Sequence, residues 1–174
     1  MPATRSERRA AASPAKDLGD AADWRPRSDR QTSILFDVFA LSQRVKTLLQ
    51  IAMRDAGLKP DEYAAYSVVF EAERITMTEM ARTLGMPVTT AADYVRAMTS
   101  RGHVRKELHP TDQRAYHLTL TPAGRRAHRT ANGSFERAYQ ALVRELSPLD
   151  EAHSRTMLQR LAGSAARAAT TLAS

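Results

Sequence analysis

Cationic side chains are concentrated between Pro87 and Arg129. This stretch holds eight arginine and lysine residues against three acidic ones, so it carries +5 of the formal net charge of +7. Guanidinium and ammonium groups bind phosphate oxygens, and the release of condensed counterions drives their association with nucleic acids. A solvated basic face is the alternative explanation for such a run. Because the charge coincides with the elements described below, it favours a phosphate-bearing partner.

Other side chains that do chemistry are absent or unsuitably spaced. The chain has no cysteine, which excludes disulfides, thiol nucleophiles and thiolate-bound zinc. Serine, histidine and aspartate occur, but no nucleophile elbow or glycine-rich cradle surrounds them. We therefore predict no catalytic residue, no metal site, no cofactor and hence no enzyme. The five histidines lack metal-binding spacing, and we expect them at the surface or facing nucleic acid: His103, His109, His117, His128 and His153.

Two short helices are predicted between Thr76 and Gly102. Thr76 and Glu79 form a T-x-x-E capping box at the start of the first helix, and Gly85 is the left-handed residue that follows it. In the second helix, one face is predicted to be buried and holds Ala91, Tyr94, Val95 and Met98. The opposite face holds Val88, Thr89, Ala92, Asp93 and Arg96.

A β-hairpin is predicted directly after these helices. Apolar and polar residues alternate in 103–108 and 115–120, as in half-buried strands, and turn-forming residues occupy 109–114. This order of elements, a helix, a turn, a second helix and a hairpin, is typical of proteins that insert a helix into a groove of nucleic acid.

Long helices are predicted on both sides of this central region, 58–120. Residues 31–57 form an N-terminal helix with a broad apolar stripe, and Thr121-Pro122 begins a C-terminal helical region, 121–174. Its first helix has an apolar seam at Ala127, Ala131, Phe135, Ala138, Leu142 and Leu146. The fold class is therefore mainly α with a small β-hairpin wing (α+β), and the terminal helices favour a symmetric homodimer.

The remaining segment, residues 1–30, lacks the apolar residues needed for a core, and we expect a disordered N-terminal arm. No apolar run approaches the roughly 18 residues of a membrane span. The arginine-rich N-terminus also lacks the apolar region of a secretory signal. We therefore expect a cytoplasmic protein without membrane contact.

Several motifs resemble the MarR family of bacterial winged-helix regulators. The most specific are Asp112-Gln113-Arg114 and the run from Leu118 to Gly124, which resemble the D-x-R wing tip and the L-T-x-x-G exit of that family. Thr78-Glu79-Met80-Ala81 resembles the helix before its recognition helix. The resemblance covers about residues 31–170. It implies a winged helix-turn-helix fold with dimerisation helices at both ends, an obligate homodimer and double-stranded DNA with a pseudo-palindromic operator as the partner.

The resemblance also implies roles for individual residues. The recognition helix would enter the major groove and the wing the minor groove, where Arg114 would insert while Asp112 holds it by an ion pair. Asp93 would accept from a cytosine amino group or repel phosphate. Pro87 replaces the usual Ser or Thr cap. The DNA-binding residues expected on this basis are Thr78, Val88, Thr89, Thr90, Asp93, Arg96, Arg105, Lys106, His109, Asp112 and Arg114.

Many members of the family bind a small aromatic or anionic ligand between the dimer helices and the winged unit. By position, such a cleft would be bordered by Phe39, Tyr63, Tyr66 and Arg101, although the same aromatic residues also suit the core. The resemblance thus implies a transcription regulator, a repressor relieved by a ligand. The alternative is a winged-helix adaptor that binds protein or RNA and no operator.

Overall fold

The computed structural model describes residues 34–108 and 116–174. The predicted arm, 1–30, lies outside the described residues, as do three of the predicted DNA-binding residues: His109, Asp112 and Arg114. The chain divides into two units after Phe39. The described part of the first unit is helical and begins helix α1, which spans Ile34–Ala52.

The second unit, 40–174, contains the rest of α1 and every other element. In chain order these are α2 (Pro60–Ala72), β1 (Ile75–Thr76), α3 (Met77–Leu84), α4 (Val88–Ser100), β2 (Val104–Leu108), β3 (Tyr116–Leu120), α5 (Pro122–Val143) and α6 (Pro148–Ala173). This order confirms the predicted winged helix-turn-helix, with α4 in the position of the recognition helix and β2–β3 as the wing.

The predicted ends of α3 are confirmed by its capping hydrogen bonds and by the conformation of Gly85, whereas the N-terminal helix predicted over 31–57 ends earlier, at Ala52. The amide of Glu79 donates to Thr76 Oγ1 at 3.2 Å, and the amide of Thr76 donates to the Glu79 carboxylate at 2.9 Å, which completes the capping box. Gly85 follows α3 with φ of 63°, a conformation that favours glycine. These local bonds set the turn between α3 and α4.

The sheet has three antiparallel strands in the order β1-β3-β2. The predicted hairpin is confirmed, and its strands pair Val104 with Leu120 and Leu108 with Tyr116. The sequence did not predict β1, because two residues are too short for an alternating pattern. Its pairing of Ile75 with Leu118 joins the start of α3 to the base of the wing.

The core of the second unit lies among α2, α3, α4 and the sheet. Its largest fully buried side chains are Tyr66, Val69, Met80, Met98 and Leu118. Helix α4 contributes its predicted buried face, except that Tyr94 stays partly exposed. Burial of one face determines which side chains α4 presents outward.

The C-terminal helices leave much of their apolar surface exposed. Helix α5 runs unbroken through Asn132-Gly133, and every residue of α6 is at least partly exposed. Leu142, Leu146, Leu149, Met157 and Leu158 each expose more than 40% of their surface. No helix among the described residues is long and apolar enough to cross a membrane.

Candidate nucleic-acid interface

The outward face of α4 carries most of the predicted recognition residues. Val88, Thr89, Asp93 and Arg96 are exposed, and Thr90 is half-buried. Their backbone is held in place because Ala91, Val95 and Met98 on the opposite side are packed in the core. The helix therefore presents these side chains to solvent as a fixed set.

Asp93 and Arg96 form an ion pair on this face. Arg96 Nη1 donates to Asp93 Oδ1 at 2.7 Å, and the two side chains remain 75% and 70% exposed. Neither role expected for Asp93 from the sequence included this partner. The spacing of three residues between Asp93 and Arg96 indicates this ion pair in the sequence, since side chains at i and i+3 are neighbours on a helix.

Strand β2 carries two more of the cations predicted to bind DNA, and one of them, Lys106, lies beside α4. Lys106 and Arg96 both line a cavity of about 400 Å³, whose other lining residues are Met77, Ala92, Val95, Thr99 and Ser100. Arg105 is exposed and pairs with Glu107 at 2.9 Å, and Glu107 also pairs with Arg74 at 3.4 Å. Thus Arg96 and Lys106 come together, whereas the charge of Arg105 is partly compensated.

The wing is anchored to the start of α5 at three points. The carbonyl of His103 accepts from the amide of Thr121 at 3.0 Å, and Thr121 Oγ1 donates to the carbonyl of Gly102 at 2.8 Å. Gly124 lies so close to His103 that a Cβ there would overlap its carbonyl oxygen. This contact gives a physical reason for the glycine of the L-T-x-x-G motif. The anchor positions the hairpin relative to α4.

A second cavity, of about 550 Å³, lies between the end of α1, the start of α2 and the end of α4. It is lined by Lys46, Gln50, Met53, Arg54, Gly57, Leu58, Lys59, Pro60, Asp61, Glu62 and Arg101. Four of these side chains are cationic and two are acidic. The cavity therefore has a cationic wall, of which the predicted ligand residue Arg101 is a part.

Arg101 is held at this cavity by Glu62. Arg101 Nη2 donates to Glu62 Oε1 at 2.7 Å, and the amide of Lys59 donates to the other carboxylate oxygen at 2.9 Å. Burial alone would raise the pKa of Glu62, but the hydrogen bonds from Lys59 and Arg101 lower it below the ordinary value. Glu62 is therefore an ionised partner of Arg101 near neutral pH.

Neither of the two tyrosines predicted beside Arg101 lines this cavity. Tyr63 and Tyr66 are buried in the core, where Tyr63 Oη donates to Asn132 Oδ1 at 2.6 Å and Tyr66 Oη lies 2.8 Å from His103 Nδ1. Phe39, in the first unit, is 60% exposed. The core interpretation of the two tyrosines, left open by the sequence, matches their burial.

The histidines differ from the expected surface positions. His128 is buried in α5, stacked 5.3 Å from the ring of Tyr63 and 4.4 Å from that of Phe70, so the prediction is wrong for this residue. His103 and His117 are half-buried, and His153 is exposed. Within the described residues, no group of three His, Asp or Glu side chains is arranged to hold a metal ion.

These elements define a winged helix-turn-helix protein with long flanking helices, and comparison with solved structures supports this class. A probable transcriptional regulator from Pseudomonas aeruginosa is 24% identical over 74% of this chain and 96% of its own, with a TM-score of 0.66. The PcaV transcriptional regulator from Streptomyces coelicolor, solved with its natural ligand, is 22% identical over 81% and 99%, with a TM-score of 0.71. BpsR from Bordetella bronchiseptica, whose DNA binding is regulated by 6-hydroxynicotinic acid, is 16% identical over 74% and 98%, with a TM-score of 0.67.

Several other matching structures are MarR-family regulators. No family model and no curated protein matches the sequence. The structural likeness, at these low identities, shows that the chain has the winged-helix fold of the MarR-family regulators.

Proposed function

We propose that this protein is a dimeric, sequence-specific DNA-binding transcription regulator that acts as a repressor. The observation that carries the proposal is the exposed polar face of α4 beside the cationic strand β2, in a winged-helix fold. In helix-turn-helix proteins the second helix of the motif enters the major groove. Val88, Thr89, Asp93 and Arg96 would then meet base edges.

Residues beside α4 would hold the protein on the DNA backbone. Lys106 and Arg105 on β2 and Thr78 at the start of α3 are exposed and suit phosphate contacts, which position a protein without specifying sequence. Arg114, with Asp112 as its partner and His109 nearby in sequence, would enter the minor groove. This wing assignment is a prediction from the sequence.

A homodimer would present two such helices to a pseudo-palindromic operator. The exposed apolar residues of α5 and α6 support this proposal, because a monomer would leave a large apolar surface in water. Residues 31–57 and 121–174 would form the dimerisation region, and residues 58–120 the DNA-binding region.

A small anionic ligand would regulate DNA binding from the cavity beside Arg101. An aromatic carboxylate there would compete with Glu62 for the Arg101 guanidinium, and Arg101 is the residue that ends α4. PcaV, which shares the fold, was solved with its natural ligand, and DNA binding by BpsR is regulated by 6-hydroxynicotinic acid. For such a ligand to act, its affinity must differ between the DNA-binding and the released conformations.

The first experiment compares binding to the DNA upstream of the protein's own gene with binding to a scrambled duplex, across a salt series. We expect tighter binding to the upstream duplex, with the margin retained as the salt concentration rises. Equal and steeply salt-dependent binding to both would indicate phosphate attraction alone, and the operator would then be sought from randomised duplexes. No binding to any duplex at low salt would favour the adaptor alternative.

The ligand is tested with 6-hydroxynicotinate as the probe and nicotinamide as the uncharged control. We expect 6-hydroxynicotinate to weaken operator binding by the wild type and not by Arg101→Met. Equal effects of the probe on both proteins would contradict the assignment of the ligand to this cavity. The proposal that the protein binds an operator would still stand.

A further inference from the structure

The ion pair of Asp93 and Arg96 lies on the face of α4 that would meet the bases, so this inference rests on the proposed DNA binding. We infer that Asp93 determines specificity in two ways. It orients the Arg96 guanidinium toward a guanine in the major groove, and its negative charge keeps α4 from adding non-specific affinity for DNA.

The Asp93–Arg96 ion pair is expected to contribute little to the stability of the fold. Its atoms are 2.7 Å apart, but both side chains are at least 70% exposed, and exposed pairs of this kind contribute little to stability. Its position is nevertheless well determined, because Val95 between them and Ala91 before them are buried. A weak pair on a rigid, outward-facing helix is better suited to orienting a side chain than to holding a fold.

The remaining donors of Arg96 match guanine. Asp93 uses Nη1, which leaves Nη2 and Nε to donate elsewhere. Guanine presents two adjacent acceptors, O6 and N7, in the major groove, and a bidentate arginine is their commonest protein partner. A guanidinium already held by a carboxylate loses less side-chain freedom when it makes these bonds.

The charges on α4 explain why this helix would add little non-specific affinity for DNA. Asp93 and Arg96 cancel one another, and the neighbouring residues on this face, Val88, Thr89 and Ala92, are uncharged. Attraction to phosphate would therefore come from the flanking cations, including Lys106 on β2, and be independent of sequence. On a non-cognate sequence, the Asp93 carboxylate would lie near the DNA phosphates and be repelled by them. This repulsion lowers the affinity for non-cognate DNA.

Asp93→Asn tests both effects together. The change removes one negative charge and one strong acceptor, so Arg96 becomes an unrestrained cation. We expect tighter binding to a scrambled duplex and a steeper dependence on salt, by about one unit of slope. The ratio of operator to scrambled affinity should fall about tenfold or more, the size of a lost bidentate contact.

The experiment begins with selection of the preferred duplex by the wild-type dimer from a randomised pool. Affinities for the selected duplex, for the same duplex with one guanine of each half-site replaced, and for a scrambled duplex are then measured over a salt series. The proteins compared are the wild type, Asp93→Asn, Arg96→Ala and Lys106→Ala. Glu136→Gln, which removes one negative charge from the exposed surface of α5, is the matched control. Thermal melts confirm that each variant is folded.

Four results are expected together. Asp93→Asn and Arg96→Ala both lose the preference for one guanine in each half-site, and replacing that guanine adds no further loss to Arg96→Ala. Lys106→Ala weakens binding to both duplexes equally, and Glu136→Gln behaves as the wild type. An unchanged affinity ratio in Asp93→Asn, or a selected site without an Arg96-dependent guanine, would overturn the inference while leaving the proposed function intact. Failure of the wild type to select any duplex would overturn both.

Discussion

At the scale of single residues, the hydrogen bonds of His128 place a proton on one nitrogen of its ring. Ser67 Oγ lies 2.9 Å from the carbonyl of Tyr63, to which it donates, and 3.1 Å from His128 Nε2. A hydroxyl has one hydrogen, so Ser67 must accept from His128 Nε2–H. Nε2 therefore carries a proton. The buried Nδ1 has no hydrogen-bond partner within the described part of the chain, and burial lowers the pKa of His128, so the neutral ring is favoured.

This arrangement predicts that the protein is less stable in mild acid. Burial lowers the pKa of His128 below its ordinary value of 6.5; the charge of Arg129 acts in the same direction and that of Glu71 opposes it. Because the folded-state pKa is depressed, the unfolded chain binds the proton first. The contribution of His128 is fully present above about pH 6.5 and is lost as the pH falls through the folded-state pKa.

The test is the urea midpoint between about pH 5 and 7 for the wild type and His128→Phe. Phenylalanine keeps the aromatic stack with Tyr63 and Phe70 and does not titrate, so its midpoint should depend less on pH. Burial, and then the charges of Arg101 and Arg126, also lower the pKa of His103, so some dependence of the same sign should remain. His153→Gln, on the exposed surface of α6, is the control. Identical pH profiles for the wild type and His128→Phe would contradict the assignment.

The burial of His128 could have been found from its position in the helix. The predicted seam of α5 used only apolar residues, whereas the buried residues are Gly124, His128, Ala131, Ser134 and Ala138, at spacings of three and four. A periodic pattern of small residues around one polar side chain was therefore present. The sequence does not show that the rings of Tyr63 and Phe70 on α2 stack against His128. This stacking makes burial of the imidazole favourable.

At the scale of elements, the contact between α5 and the wing depends on one glycine. A Cβ on Gly124 would meet the main chain of His103, which cannot move without shifting the hairpin. We expect Gly124→Ala to destabilise the protein by about 1–3 kcal/mol, as overpacking commonly does. DNA affinity should also fall, because the position of the wing changes.

The same helix offers the matched control. Gly133 has open space where a Cβ would stand, and its backbone is helical. Gly133→Ala should therefore stabilise the protein by about 0.5–1 kcal/mol, since alanine is the better helix former. Urea denaturation of both variants measures the difference. Similar stability of Gly124→Ala and the wild type would show that the main chain accommodates a methyl group.

Elements were predictable where local chemistry decides them. Thr76 with Glu79, Gly85 and Thr121-Pro122 each specify a helix end through bonds within a few residues, and each is confirmed. Strand β1 is not predictable in this way, because its two residues are too short for an alternating pattern and its pairing with β3 joins segments about forty residues apart. The pairing of Asp93 with Arg96 is local, because residues three apart on a helix are neighbours, but the prediction of a separate DNA contact for each residue does not include it.

At the scale of the whole molecule, the exposed apolar surface of the C-terminal helices supports the proposed pairing with a second copy of the chain. A broad apolar surface on long helices is unfavourable in water, and burying it against an identical surface is the commonest solution. Leu158 lies within α6 and is 47% exposed, next to the polar residue Gln159. A carboxylate at Leu158 would be buried and unpaired in a dimer, whereas one at Gln159 tests for the effect of charge alone.

We expect the wild type and Gln159→Asp to sediment as dimers of the 19.3 kDa chain at micromolar concentration, and Leu158→Asp as a monomer. In a dimer, once one winged unit is bound to its half-site, binding of the other unit is intramolecular. This raises the apparent affinity for the full operator about a hundredfold or more. Leu158→Asp should therefore lose that factor on the full operator and bind an isolated half-site like the wild type. A stable wild-type monomer would contradict the proposed symmetry. A Leu158→Asp monomer with undiminished operator affinity would instead mean that one winged unit suffices for recognition.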